Sequence, residues 1–202
     1  MRKNTRPKEP DHDELYRIAE PQGGYFSSEQ AARAGFSRKL LWHYQKTGKL
    51  LRVAHGIYRL AHFPASGYED LFVACLKCGP QSAISHDSAL ALYDLSDVLP
   101  GEVHVTVPRT ASRRRRGIRM HTNRLRAGDV VRRDGLPVTA VPRTIADAAR
   151  AGLSEDHVAR ALRDALRRGL TTKQALLAEA SRRGGRPARL IRLYSNALKG
   201  HS

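Results

Sequence analysis

The stretch Ser27–Leu60 constrains the fold of this chain more than any other. Its first serine is followed three residues later by Gln30, a capping-box pattern that predicts the start of a helix. Gly35 then offers the positive φ that a sharp turn requires. Ser37 is a favourable N-cap for a second helix. The pattern predicts two short helices separated by a tight turn.

Two apolar-rich segments after the second helix predict a β-ribbon. Gly48 is placed to end that helix, and Leu50–Val53 and Ile57–Leu60 are strand candidates joined by a short turn, Ala54-His55-Gly56. A further helix is predicted upstream, where another capping pattern opens the segment Asp11–Ala19. Three helices followed by a ribbon are the pattern of a winged helix-turn-helix.

The second helix of this pattern leaves basic and polar side chains on its outer faces, because Leu40, Leu41 and Tyr44 at helical spacing can face the core. An α-helix fits the major groove of DNA, and residues of its first turns reach base edges. Cations of the ribbon, or wing, can hold flanking phosphates or enter the minor groove. The predicted DNA-binding residues are Ser37, Arg38, Lys39, Trp42, His43, Lys46, Arg52, His55 and Arg59.

Alternatives stay open at two places in this region. The ring of Trp42 is large and amphipathic, so both core packing and contact with DNA or a partner fit it. Residues 1–10 are polar, basic and proline-containing, which predicts a disordered arm, either a plain tail or an arm that enters a groove. For the second helix, DNA binding is favoured over a merely solvated basic surface, because helix, turn, basic helix and ribbon occur in this order.

The charge of the chain indicates a polyanionic partner. Its 202 residues include 36 Lys and Arg against 19 Asp and Glu, a formal net charge of +17, and nucleic acid is the default partner for such a balance. Two cysteines, Cys75 and Cys78, provide no disulfide framework. No apolar run reaches transmembrane length, and the charged N-terminus lacks the apolar region of a signal peptide. We therefore expect a cytoplasmic protein without membrane contact.

Proline, serine and glycine between residues 62 and 67 predict a domain boundary, with the winged helix-turn-helix over residues 11–66 and a second domain over residues 67–202. The predicted fold class is α+β, with the winged domain followed by a mixed α/β domain that has a small, mostly antiparallel sheet and several helices. The predicted elements of this domain are helices near Tyr68–Cys78 and within Ser82–Leu95, strands at Glu102–Pro108, Ile118–Leu125, Asp129–Arg133 and Leu136–Val141, and helices at Arg143–Ala151, Ser154–Arg168, Thr171–Arg182 and Pro187–Lys199.

Four consecutive arginines, Arg113, Arg114, Arg115 and Arg116, lie between the first two predicted strands of the second domain. Adjacent guanidinium groups in a loop repel each other and need an anion or free solvent. We predict a secondary basic patch that contacts nucleic acid or an acidic partner, with a solvated loop as the alternative.

Residue types that often carry chemistry do not form a site in this sequence. The pair Cys75-x-x-Cys78 is followed by no second pair of ligands, whereas a tetrahedral zinc needs four. The run Ser85-His86-Asp87 cannot be a catalytic triad, because consecutive side chains diverge. We predict no catalytic residue, no metal and no cofactor.

Several segments in order resemble the AbiEi-type antitoxins, transcriptional regulators of type IV toxin-antitoxin systems. The segment RAGFSRKLLWHYQKTGKLLRVAHGIYRL stands where that family has its winged helix, and the resemblance continues through SHDSALALYDL, EVHVTVPR, GLPVTAVPRTIADAA and the helical C-terminus. It implies a two-domain repressor whose winged domain binds inverted repeats in its own promoter. It also implies that the C-terminal domain counters a cognate nucleotidyltransferase toxin without a stable complex.

Two other classes of protein compete with this interpretation. Related C-terminal regions can precede a nuclease domain resembling the very-short-patch repair endonucleases, which need clustered carboxylates to hold magnesium. After Asp147 the acidic residues are Glu155, Asp156, Asp164 and Glu179, all on predicted helices, which argues against an enzyme. The other class is a plain winged-helix transcription regulator or nucleoid-associated DNA-binding protein without a toxin partner.

Overall fold

The computed structural model describes residues 9–97, 100–111 and 114–197. The chain divides into two compact units, Met1–Pro80 with Asp134–Leu136, and Gln81–Arg133 with Pro137–Ser202. Helices and strands are mixed in the manner of the predicted α+β class, which is confirmed. Apart from its last two residues, the arm predicted at residues 1–10 lies outside the described residues.

The first unit is built from three helices, a three-stranded antiparallel sheet and a fourth helix. The strand order is β1-β3-β2, so β3 is central. The predicted helices and ribbon are present, and the short strand β1 is an addition that no residue pattern indicated. The elements are α1 (His12–Ala19), a 3₁₀ turn (Glu20–Gln22), β1 (Tyr25–Ser27), α2 (Ser28–Arg33), α3 (Arg38–Lys46), β2 (Leu50–Ala54), β3 (Ile57–Leu60) and α4 (Glu69–Cys78).

Both faces of this sheet are covered by helices of the same unit. On one face, Phe26 belongs to a buried core that includes Phe36 and Leu41 from the turn and from α3. On the other face, Tyr25 stacks on Phe72 of α4 with 4.8 Å between ring centroids. Because α4 packs on β1 and β3, the first unit extends to Pro80 and not only to the predicted boundary at residue 66.

The second unit combines a five-stranded sheet with five helices among the described residues. Its strand order is β6-β5-β4-β8-β7. The elements are β4 (Ala83–Ile84), α5 (His86–Leu92), β5 (Val103–Val107), β6 (Ile118–Thr122), β7 (Val130–Arg133), β8 (Leu136–Thr139), α6 (Val141–Arg150), α7 (Glu155–Arg167), α8 (Lys173–Arg183) and α9 (Gly185–Ala197).

The second sheet is mixed, where the sequence predicted a mostly antiparallel one. Strand β4 is antiparallel to β5 but parallel to β8, and β5 is parallel to β6. Alternating side chains indicate which face of a strand is buried, but they carry no information on the direction of its neighbour. The strand positions were therefore predictable while their pairing was not.

Helix α6 lies at the centre of the second unit. It contacts α5, α7, α8 and α9, and its residues from 143 to 149 are all buried, including Arg143 and Asp147. Ser154 caps α7, and Thr172 caps α8, since the Thr172 hydroxyl accepts the Ala175 N–H at 3.1 Å. No helix among the described residues is long and apolar enough to cross a membrane.

Candidate nucleic-acid interface

Helix α3 is held by local hydrogen bonds and one deep anchor. Gly35 adopts φ +86° in the turn, and the N–H of Phe36 donates to the carbonyl of Ala31 at 2.9 Å. The hydroxyl of Ser37 accepts the N–H of Leu40 at 3.2 Å, which confirms the predicted N-cap. Leu41 is 1% exposed and fixes the rotation of the helix. Leu40 and Tyr44 pack against the same core, so the opposite face of α3 points to solvent.

The outward face of α3 is basic and free of carboxylates. Arg38, Lys39, His43 and Lys46 are exposed on it, together with Trp42. The chain has no Asp or Glu between Glu29 and Glu69, a stretch that spans the whole helix and the wing. The N-terminus of the helix adds the partial positive charge of its dipole beside Arg38 and Lys39. Such a surface attracts a polyanion along its length.

Trp42 does not pack in the core. Its side chain is 58% exposed, and the ammonium group of Lys46 lies 5.8 Å from the centroid of its ring. An exposed indole next to a cation offers a flat apolar surface that can pack against a deoxyribose or a partner side chain. Of the two possibilities open in the sequence, this exposure rules out core packing.

The wing presents two further polar side chains. Arg52 and His55 are both exposed, and a guanidinium nitrogen of Arg52 lies 3.1 Å from Nδ1 of His55. The tip of the hairpin is fixed to the start of α2, because the N–H of Ser28 donates to the carbonyl of Gly56 at 2.8 Å. The wing is thereby held beside the helix-turn-helix of its own unit.

Arg59 corrects the sequence prediction, since it does not decorate the wing. Its side chain is buried, its Nη1 donates to the carbonyl of Phe63 at 2.7 Å, and its guanidinium lies 5.8 Å from the ring centroid of Tyr25. Strand β3 is the central strand of the sheet, and Arg59 pairs with Tyr25 of the unpredicted strand β1. A side chain on a central strand between two covered faces cannot reach a ligand.

The remaining predicted residues form what we call the basic face. Lys49 is exposed as well, but its ammonium lies 5.1 Å from the ring centroid of Tyr44, which packs against the core and contacts His12 of α1, so Lys49 is not counted with this face. The basic face consists of Ser37, Arg38, Lys39, Trp42, His43, Lys46, Arg52 and His55.

This basic face lies in a segment that matches a known family. Residues 13–61 match the family model described as a transcriptional regulator, AbiEi antitoxin. The match runs from α1 to the residue after β3, so it contains every residue of the basic face. It confirms the resemblance noted in the sequence for this part of the chain. Among the curated proteins, none matches the chain.

The secondary basic patch lies in the second unit. Arg114 and Arg116 are exposed, whereas Arg115 is half-buried and its Nη1 lies 3.4 Å from the sulfur of Met120. Arg113 lies outside the described residues. The three described arginines line an open groove of about 570 Å³ together with Arg119. Glu102 lines the same groove, so the groove is basic but not free of carboxylates.

Three histidines form a cluster in the second unit that sequence reasoning did not foresee. The rings of His86 and His121 stack with centroids 3.5 Å apart, and His104 lies 5.1 Å from His121. Burial, aided by the other two histidines, lowers the pKa of His86 to about 2. Burial and His104 lower the pKa of His121 to about 4. The cluster is therefore uncharged at neutral pH.

Acidic and thiol side chains do not assemble a metal centre within the described residues. Glu179 is buried against Arg182 and Arg183, while Glu155 and Asp164 form ion pairs with arginines at the surface. Cys75 and Cys78 are buried thiols of α4. The carboxylates considered for a nuclease are therefore dispersed, and Glu155, Asp164 and Glu179 each form an ion pair with an arginine.

Proposed function

We propose that this chain is a repressor that binds double-stranded DNA and acts as the antitoxin of a type IV toxin-antitoxin system. The observation that carries the proposal is the carboxylate-free basic face on α3 and the wing, inside the segment that matches the AbiEi regulators. In this proposal the chain works in the cytoplasm and needs no cofactor.

The geometry suggests how the duplex is held. Helix α3 enters the major groove with its N-terminal end, where Arg38 and Lys39 reach guanine edges or phosphates. Lys46 and Trp42 lie further along the same exposed face and contact the groove wall. Arg52 and His55 of the wing hold the flanking backbone. Arg59 takes no part, because it is buried.

The regulatory role follows from the resemblance to the AbiEi family. The chain binds inverted repeats in its own promoter and so controls the operon that encodes it. It counters a cognate nucleotidyltransferase toxin functionally, without a stable complex. The secondary basic patch adds a second contact with nucleic acid. Arg114→Gln and Arg116→Gln should weaken non-specific DNA binding, and unchanged affinity would show that the loop is merely solvated.

A plain winged-helix regulator or a nucleoid-associated protein is the second candidate, because the basic face alone fits either. Co-expression with the nucleotidyltransferase of an adjacent gene separates the two. Rescue of growth by the full chain supports the antitoxin role, and failure to rescue favours the plain regulator. Isolation of a stable complex with the toxin would contradict the proposed mode of neutralisation.

DNA binding is tested with a footprint on the upstream DNA and with variants of the basic face. Arg38→Ala and Lys39→Ala should each weaken binding by roughly 1–3 kcal/mol, because each removes a base contact or a close phosphate contact. Arg17→Ala and Lys77→Ala are matched controls, since both side chains are exposed in the same unit but outside the basic face. Equal affinity of all four variants at moderate salt would refute the assignment of α3.

A further inference from the structure

A small cavity in the second unit is lined mainly by guanidinium groups. Its volume is about 120 Å³. It shares no residue with the groove at the secondary basic patch, although Asn123, which lines the cavity, directly follows Thr122, which lines that groove. The charged residues that line it are Asp129 and five arginines, Arg124, Arg126, Arg143, Arg182 and Arg183.

Arg143 is buried more deeply than Arg182 and Arg183, and one of its guanidinium nitrogens has no hydrogen-bond partner among the described residues. Its side chain is 2% exposed. Nε donates to Asp147 at 2.5 Å and Nη1 donates to Asp129 at 2.8 Å. Nη2 is buried and has no hydrogen-bond partner among the described residues. A buried guanidinium N–H without an acceptor is costly, so the position calls for an oxygen ligand.

The acidic residues here hold the arginines in place and do not close the cavity to an anion. The carboxylate of Asp129 accepts from Arg143 and from the N–H of Arg126 on one oxygen, and it pairs with Arg182 at 3.4 Å on the other. Glu179 pairs with Arg182 and Arg183. The carboxylates are therefore already used as acceptors.

Two of the five arginines that line the cavity are not balanced by a carboxylate. Three buried carboxylates, those of Asp129, Asp147 and Glu179, are matched one for one by Arg143, Arg182 and Arg183. Arg124 and Arg126 are exposed and have no carboxylate within ion-pair distance in the described part of the chain. A dianion would complete the balance.

We propose that this cavity binds a phosphate dianion, either free inorganic phosphate or the terminal phosphate of a nucleotide. The volume corresponds to about four water molecules at roughly 30 Å³ each, which suits one tetrahedral oxyanion and leaves a nucleoside outside. Arg143 supplies the buried donor, and Arg124 and Arg126 supply the uncompensated charge. The site is independent of the proposed contact between α3 and DNA.

Calorimetric titration of the full chain with inorganic phosphate at constant ionic strength tests the site. We expect saturable binding, weakened at least tenfold in Arg124→Gln/Arg126→Gln, because both exposed cations are removed without touching the buried network. Arg109→Gln/Arg163→Gln is the matched control, with two exposed arginines of the same unit that do not line the cavity. The control should bind within twofold of the unaltered protein.

A second titration with a nucleoside 5′-monophosphate distinguishes the two sources of phosphate. At least tenfold tighter binding than that of inorganic phosphate identifies a nucleotide end, and equal affinity identifies the free ion. Absence of saturable binding for both ligands overturns the proposal, as does equal weakening in the control. Circular dichroism checks folding, and if the double variant does not fold, each single variant should weaken binding at least threefold.

Discussion

Lowering the pH from 7 to 5 should destabilise the protein by about 2 kcal/mol through His86 alone. Its side chain is 7% exposed and stacked on His121, and burial lowers its pKa to about 2. In the unfolded chain a histidine has a pKa near 6.5. Between these two values the unfolded state binds a proton that the folded state does not, so the free energy of unfolding falls as the pH falls.

The magnitude follows from the distance between the assay pH and the unfolded pKa. At pH 5 the folded His86 remains neutral, while the unfolded residue lies about 1.5 pH units below its own pKa. Each unit is worth about 1.4 kcal/mol, which gives about 2 kcal/mol. His121, with its pKa lowered to about 4, adds to this loss over the upper part of the same window, but its partial exposure reduces the contribution.

Urea unfolding at pH 7 and pH 5 measures the effect on the unaltered protein and on His86→Asn. Asparagine suits this position because His86 has φ +51°, and asparagine tolerates the left-handed region while remaining uncharged. The variant should lose about 2 kcal/mol of the pH dependence. His157→Asn on α7 is the control and should retain it, since His157 lies outside the cluster. Identical pH dependence in the unaltered protein and in His86→Asn would refute the argument.

Two further measurements test the first unit. Gly24→Ala should lower the free energy of unfolding by at least about 2 kcal/mol, because a Cβ at this position would lie 2.4 Å from Cγ of Phe63 and because Gly24 has φ +86°. If chemical denaturation shows unchanged stability, the contact with Phe63 can relax and the argument is wrong. The affinity for promoter DNA should fall as the salt concentration rises. A plot of the logarithm of the binding constant against the logarithm of the salt concentration should have a slope of about −3.6 or steeper, because Arg38, Lys39, Lys46 and Arg52 each displace one counterion. A flat dependence in filter binding would contradict phosphate contact by the basic face.

Local patterns predicted the start of most helices because the groups involved are close in sequence. The hydroxyl of Ser27 accepts the N–H of Gln30, and the hydroxyl of Ser37 accepts that of Leu40, both within one helical turn. The apolar spacing that places Leu41 in the core also leaves Arg38 and Lys39 exposed. Most of the basic face was therefore readable from the residues alone.

Contacts between distant segments decided what the patterns could not. Whether Arg59 is buried or exposed depends on β1, a strand of three residues that is too short to show an alternation of apolar and polar side chains. The pairing of β5 with β6 as parallel strands likewise depends on the path of the chain between them. Neither feature leaves a signal within one or two turns of sequence.

By itself, the sequence determined a winged helix-turn-helix with a basic second helix, because capping, helical periodicity and charge are properties of neighbouring residues. Only the tertiary structure brought His86 onto His121 and Arg143 between Asp129 and Asp147. Arg143 and Asp147 are one turn apart on α6, but His86, His121 and Asp129 come from other elements, and burial then changes the chemistry of these side chains by removing water. The spacing of residues in the sequence does not indicate which side chains lose contact with water.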